Sequence, residues 1–387
     1  MEWSQELLPL LGYSLLIIVL VVLISPNLLR PSSPSPALRR GDGGRSRGTS
    51  SNGSSSTCYL VLAILSLAFT WAYMFKYFQR SFEDAGTSPN CLPCAEEAAR
   101  AGSKASHYTI KEWLASTSLF VEAWHQVCAT PRAWWWSQVL CAWTVGPLTA
   151  FWYFEGQRHQ IRRVWAFMLL GQVVAISFAQ NLFFLALSLS PLPPSPRSFT
   201  PSPLLIWSTL LSFLTIALVP STIHKPTFLP NLLLMHVLLI LPLIPRFSRT
   251  HRKSSLFTPS TLYVLYSLLS LFLQYTTYLT LPSQSVQSPL HLLSSTVQTL
   301  SSHPAQSSIS YDVVFASISM LTFILLEERK NRSFVDWIGF VGMVMTTPFL
   351  GIATTSGFWL ARRERAIAKR FEKGKAKEVE GGVGKLE

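Results

Sequence analysis

Apolar residues run along this chain in long blocks, not in the alternation of a strand or the narrow stripe of a surface helix. Leu7 to Ser25 is uncharged and nearly all apolar, and Pro26 ends it. About 20 such residues cross a bilayer as a helix. Cys58 to about Phe78 makes a second block, with Lys76 able to snorkel at its end. Further blocks are Ala133–Phe154, Val164–Leu187, Leu204–Pro220, Leu229–Pro245, Thr258–Leu281, the short Tyr311–Leu326, and Phe334–Leu360. Tyr108–Ala129 has helical spacing but holds Lys111, Glu112, Glu122 and His125. It is expected to lie in the interface or pack inside the bundle. The pattern predicts an all-α, polytopic transmembrane helical bundle of about nine spans plus one interfacial or partly buried helix. No internal repeat is evident.

The blocks divide the chain into residues 1–25, a first transmembrane helix; 26–57, a Ser/Pro/Gly/Arg loop too polar to bury a core; 58–360, the main bundle; and 361–387, a basic tail. Glu2 and Glu6 precede the first block with no Lys or Arg, so the N-terminus is expected outside. The positive-inside rule then puts Pro26–Thr57, Glu155–Arg163 and the tail in the cytosol. Two basic loops, Arg246–Lys253 and Glu327–Ser333, fall on the wrong side of a nine-span scheme. Crossing by Tyr108–Ala129 repairs both but misplaces Glu155–Arg163 and the tail.

Composition sharpens the class. Only 13% of residues are charged, about half the usual share of a soluble domain, roughly 25%. The net charge is +13. Its carriers sit between apolar blocks and in one tail, which points to topology and anionic lipid and argues against nucleic acid. Cys58, Cys128 and Cys141 lie in or beside apolar stretches and suit packing. Cys91 and Cys94 form a lone C-x-x-C, too few ligands for a tetrahedral zinc site; a disulfide and two separate thiols both remain open.

Ionisable groups at membrane depth are costly, which makes each a functional candidate. Glu122 and His125 are three apart and share a helical face, a spacing suited to moving a proton. Asp312, opening a short span, offers either a helix cap or a second carboxylate facing Glu122 or Glu155. His236 and Asp336 are weaker candidates of this kind. Glu155 can pair with Arg158 or His159, and Arg158 and Arg162 could hold an anionic headgroup. Gln172, Gln180 and Asn181 lie in the clearest span, with Gln172 and Gln180 eight apart on one face. Their amides serve helix packing or line a pocket. No phosphate loop, dinucleotide fingerprint, H-E-x-x-H or G-x-S-x-G elbow occurs. No metal or cofactor is therefore expected.

Phe167–Phe184, together with Ser310-Tyr311-Asp312, resembles a pattern in fungal polytopic membrane proteins, some of which accompany terpenoid or indole-diterpene biosynthetic genes. That resemblance implies an all-helical fold and proton-initiated chemistry on an isoprenoid, with no catalytic position carried over. Two classes stay open. One is a non-catalytic accessory, scaffold or small-molecule carrier of the endoplasmic reticulum or another endomembrane, its partners being the bilayer and a lipophilic small molecule. The other is a membrane enzyme moving protons with Glu122, His125 and Asp312. The first is preferred. Convergence of the three acid–base groups on one pocket would favour the enzyme; broken helices near the midplane with repeat symmetry would favour a carrier.

Overall fold

Four helices begin at a Ser/Thr-Pro step, and the reason is local. In Thr130-Pro131, Ser202-Pro203, Thr258-Pro259 and Ser288-Pro289 the hydroxyl accepts from a first-turn amide, and the proline fills the position whose N–H needs no partner. The computed structural model describes residues 8–29, 49–86, 109–190, 199–246, 257–282, 288–331 and 334–383; these are helical with short connections and contain no strand. Cys91 and Cys94 lie outside them.

The helices are α1 (Leu8–Leu28), α2 (Thr49–Gly86), α3 (Ile110–Ser116), α4 (Leu119–Cys128), α5 (Pro131–Trp143), α6 (Thr149–Arg158), α7 (Val164–Val173), α8 (Ile176–Leu189), α9 (Pro203–Thr222), α10 (Phe228–Ile240), α11 (Pro259–Tyr278), α12 (Pro289–Leu300), α13 (Pro304–Asn331) and α14 (Phe334–Val383). Helix α2 starts at Thr49, inside the stretch expected to lack structure. The expected interfacial helix over Tyr108–Ala129 is two helices, α3 and α4. A π-helical turn, Thr144–Leu148, joins α5 to α6 around Pro147, which has no N–H to give. The Thr149 hydroxyl donates to the Thr144 carbonyl there at 2.6 Å.

Apolar stretches within α1, α2, α9, α13 and α14 are long and apolar enough to cross a membrane. Large apolar side chains project outward from them, among them Leu15, Ile18 and Val22 on α1 and Trp207 and Leu214 on α9. Apolar faces this extensive do not stay in water. The chain is an integral membrane protein.

Two of the expected spans are not straight. Val164–Leu187 is interrupted at Val174–Ala175, where Ala175 is extended. Space for a Cβ on Gly171 ends 3.3 Å from the Ala179 Cβ, although eight residues of straight helix would separate them by about 12 Å. Helix α8 therefore folds back along α7. Neighbours fix the direction of each arm. Asn27 at the end of α1 bonds the Arg162 backbone, while Tyr13 near its start bonds Val173 O. On the way back, Trp71 of α2 bonds Val174 O, the Tyr59 and Phe184 rings lie 5.3 Å apart, and Ser56 meets Ser188. Asn27 and Tyr13 are 14 residues apart on α1, so the tip sits roughly 21 Å from the hairpin's open end.

Phe334–Leu360 behaves alike. Gly351, with φ +76° and ψ 152°, breaks α14 into arms over 334–350 and 352–383. The Thr347 and Thr355 hydroxyls meet at 2.9 Å across this break. The outbound arm returns to the end of α13, where Trp359 and Arg362 bond Glu328.

These hairpins belong to two copies of one unit, a repeat not apparent along the sequence. Each unit holds a long helix (α2, α11), short helices (α3–α4, α12), a helix running back (α5–α6, α13), and a hairpin (α7–α8, α14). The pair α9–α10 is inserted between them. Packing is reciprocal: α2 lies on α8 of its own unit and α13 of the other, and α11 on α14 of its own and α5 of the other. Matched positions follow. Thr57, Tyr59, Leu65, Ser66 and Leu67 of α2 correspond to Thr261, Tyr263, Leu269, Ser270 and Leu271 of α11, and Pro131, Ser137, Thr149 and Glu155 to Pro304, Ser310, Thr322 and Glu328. The contact of Gly171 with Ala179 matches that of Thr347 with Thr355. Where the units meet, Gln306 Nε2 lies 3.1 Å from Ser137 and 3.4 Å from the matching Ser310. Gln180 likewise bridges Trp143, at 2.8 Å, to the carbonyl of its counterpart Ala316, at 2.9 Å.

Candidate functional site

The first hairpin tip gathers side chains from three other helices. Reversing a helix frees carbonyls from the turn before and amides from the turn after, and buried ones need partners. Tyr13 donates to Val173 O at 2.5 Å and Trp71 to Val174 O at 3.3 Å. Asp312 of α13 accepts from Ile176 N at 3.0 Å and Ser177 N at 2.7 Å. Its carboxylate thus caps the positive end of α8. Asp312 was expected to open its own helix, as part of a cap or as a second carboxylate facing Glu122 or Glu155. It instead lies well inside α13, which starts at Pro304, and caps a different one.

At the second tip the matching position is Val139, whose side chain packs against Gly351. Glycine takes the positive φ there without steric cost. The first tip thus carries a carboxylate where the second carries a valine.

The expected acid–base set does not converge. The Glu122 carboxylate accepts from Ser118 N at 2.8 Å and from the Ser81 hydroxyl, so it caps its own helix against the end of α2. The His125 ring lies 6.1 Å from that of His224 and 5.0 Å from Phe228. Neither shares a partner with Asp312. His236 is tied to Leu232 O through Nδ1, and its own carbonyl accepts from Gln172. The side chain of Asp336 is outside the described residues. Gln172 and Gln180 do not share a face, because the chain reverses between them; Gln180 and Asn181 are buried, and Asn181 donates to Ser177 O.

At the open end of the hairpins an ion-pair network replaces the expected headgroup site. Arg158 pairs with Glu155 and grips Glu364 with two bonds, at 2.7 and 2.5 Å. Arg363 reaches Glu155 at 2.7 Å, and His159 approaches it at 3.5 Å. Burial opposes ionisation of Glu155, but the Arg363 and Arg158 guanidinium groups outweigh it and hold its carboxyl well below the usual range. The repeat-related Glu328 pairs with the adjacent Arg362. Arg158 is thus committed to protein carboxylates. Arg162 is exposed, and its backbone is clamped by Asn27 at 2.9 Å in both directions. Sequence reading missed Asn27, Glu328, Arg363 and Glu364; all but Asn27 sit in charged stretches that read as solvated ends.

Nearby, a cleft of about 370 Å³ is lined by Trp152, Tyr153, Gly156, Arg163, Pro242 and Leu243 among others. Among the described residues no group of three or more His, Cys, Asp or Glu is placed to hold a metal ion. Cys128 and Cys141 are buried and free.

The family model described as "Protein of unknown function DUF2834" matches residues 262–365. That stretch runs from the start of α11 to the ion-paired part of α14, so the DUF2834 match falls on the second unit alone and covers about a quarter of the chain. The match carries no activity with it. No curated protein and no solved structure matches the chain.

Proposed function

We propose that this protein is a multi-pass membrane carrier of a small molecule, built from two like-oriented units. The observation that carries this reading is the pair of repeat-related helices that reverse partway along the bundle. Reversed or interrupted helices leave backbone amides and carbonyls at membrane depth, and carriers of known type use such groups to hold cargo at a repeat interface. An accessory or scaffold has no need of them.

In this reading α1, α2, α5–α6, α9, α10, α11 and α13 each cross once, and the two hairpins enter and leave on one side. The topology answers the charge problem. With neither hairpin crossing, the basic connections after α1, α6, α10 and α13 share one side with the tail. All but seven of the 32 Lys and Arg then lie toward that side; the exceptions are Lys76, Arg80, Arg100, Lys104, Lys111, Arg132 and Lys225. That side is the cytosol. The acid-catalysed alternative has no support, since Glu122, His125 and Asp312 keep separate partners.

Single cysteines at Ser177 and Ala353, in a chain whose native cysteines are replaced, test the function. A carrier exposes its hairpin tips in turn, so membrane-impermeant maleimide should label them in right-side-out and in inside-out vesicles. Tips closed from both faces under all conditions would leave a scaffold.

A further inference from the structure

We propose that Asp312 is where the carrier takes up a proton, an inference that rests on the carrier reading above. The carboxylate is buried and sits on the first amides of α8, Ile176 N and Ser177 N. A carboxylate is not the only side chain that such a reversal accepts. At the matching tip Val139 packs on Gly351 and the reversal forms against an apolar side chain. The acid is thus particular to the first tip, where it meets the two amides in place of a valine.

The surroundings suit an acid that gains and loses a proton. Ser177 Oγ lies beside the carboxylate, and Asn181 Oδ1 is on the next turn of the same helix face. Both residues are fully buried; the Ser177 hydroxyl is within hydrogen-bond reach of the carboxylate and can donate to the ionised acid or accept from the protonated one, while Asn181 Oδ1 lacks a partner. A carboxylate does not require a further acceptor, but a carboxylic acid O–H does. These oxygens supply it. A bound calcium would instead call for about six or more oxygen ligands. One carboxylate and two neutral oxygens fall short of that and suffice for a proton.

No charged side chain among the described residues acts on Asp312. Helices α7 and α8 carry no titratable group. From α1, Tyr13 points at Val173 O, and from α2, Tyr73 stacks with Tyr311 of α13 itself. Helix α10 reaches the tip through the His236 carbonyl, with its imidazole held on Leu232 O. Helix α5 carries the uncharged thiol Cys141, and on α4 Glu122 and His125 have the partners given above. The ionised acid is matched by the positive end of α8 and by the Ser177 hydroxyl. Uptake forms one O–H bond on an Asp312 oxygen with a proton from water on the open side. It removes the charge that favours this end of α8 and frees the tip to shift; release on the other side restores the pairing.

Infrared difference spectra of the full-length protein in lipid, acid minus alkaline, test this. The proposal predicts a carboxylic C=O band that Asp312→Asn abolishes, Asp312→Glu shifts, and Glu122→Gln leaves in place. An unaltered band in Asp312→Asn, or no band in wild type, overturns it. The asparagine keeps an oxygen acceptor for one amide, and the glutamate variant keeps the acid, so loss of fold in one does not remove the test. Failure here, with both tips still labelled from the two faces, rejects the proton site alone. Tips labelled from neither face reject the carrier reading itself.

Discussion

The hydroxyls of Thr347 and Thr355 meet at 2.9 Å, where a straight helix would hold the two residues about 12 Å apart. Only a reversal at Gly351 between them allows it. The contact of Gly171 with Ala179 repeats the relationship in the first unit. Two apolar blocks that read as straight helices are thus helical hairpins, and in the proposed topology they return to the side they came from.

Gly351→Ala should destabilise the protein. At φ +76° an alanine is strained, and its Cβ meets Val139 at 3.2 Å; the cost is about 1–3 kcal/mol. Gly339, with nothing within 4 Å of a built Cβ, is the control. Gly339→Ala should be neutral or gain about 0.5–1 kcal/mol from helix propensity. Thermal unfolding in detergent compares them.

Arg158→Ala should be severe and Arg162→Ala mild. The first removes both bonds to the buried Glu364 carboxylate and one of the cations on Glu155, a loss of about 3–5 kcal/mol. The second leaves the Arg162 backbone bonds to Asn27 intact and removes an exposed side chain, for a change within about 0.5 kcal/mol. Equal losses in chemical denaturation would show that the buried network is not what matters at Arg158.

Asn27→Ala should loosen the first hairpin at its open end. It deletes the reciprocal pair with Arg162 N and O and leaves part-buried backbone groups unmatched, at about 1 kcal/mol. Hydrogen exchange should rise over residues 160–166, with little change around Gly351.

The network also sets a pH dependence. The Glu155 carboxyl is held below its unfolded value, because burial is outweighed by Arg363 and Arg158. Its contribution is therefore full above the unfolded carboxylate range and is lost as pH falls through the lower folded value. Wild-type unfolding temperature should drop on acidification. Glu155→Gln should start lower and show a flatter acid limb.

How much of this was legible follows from where the decisive partners sit. Helix starts were, because Thr130-Pro131 or Thr258-Pro259 acts on its own first turn. The all-helical membrane class was, because it needs only composition. The break at Val174–Ala175 was not: no glycine or proline marks it, and the residues that satisfy its backbone are Tyr13, Trp71 and Asp312, each about a hundred residues or more away. Gly351 did carry a local signal, but one glycine in an apolar helix is weak evidence. The repeat was present in the Thr, Tyr and Leu-Ser-Leu positions shared by α2 and α11, hidden among apolar residues that match any membrane helix. Asp312 was singled out as a carboxylate in an apolar stretch, but the amides it caps, Ile176 N and Ser177 N, belong to another helix. Arg158 and Glu155 were paired correctly, while Arg363 and Glu364 became visible only once α14 folded back.

Glycosylation mapping in a eukaryotic cell tests the central claim most directly. Acceptor sites are placed singly in the connections over 191–198 and over 283–287 of an Asn331→Gln chain, which lacks the second natural sequon Asn331-Arg332-Ser333, alongside the natural sequon at Asn52. A first hairpin that does not cross predicts no glycan at Asn52 or over 191–198, and an endoglycosidase-sensitive mass shift over 283–287. A glycan over 191–198 with none over 283–287 would mean that α7 and α8 pass straight through, and would contradict the account.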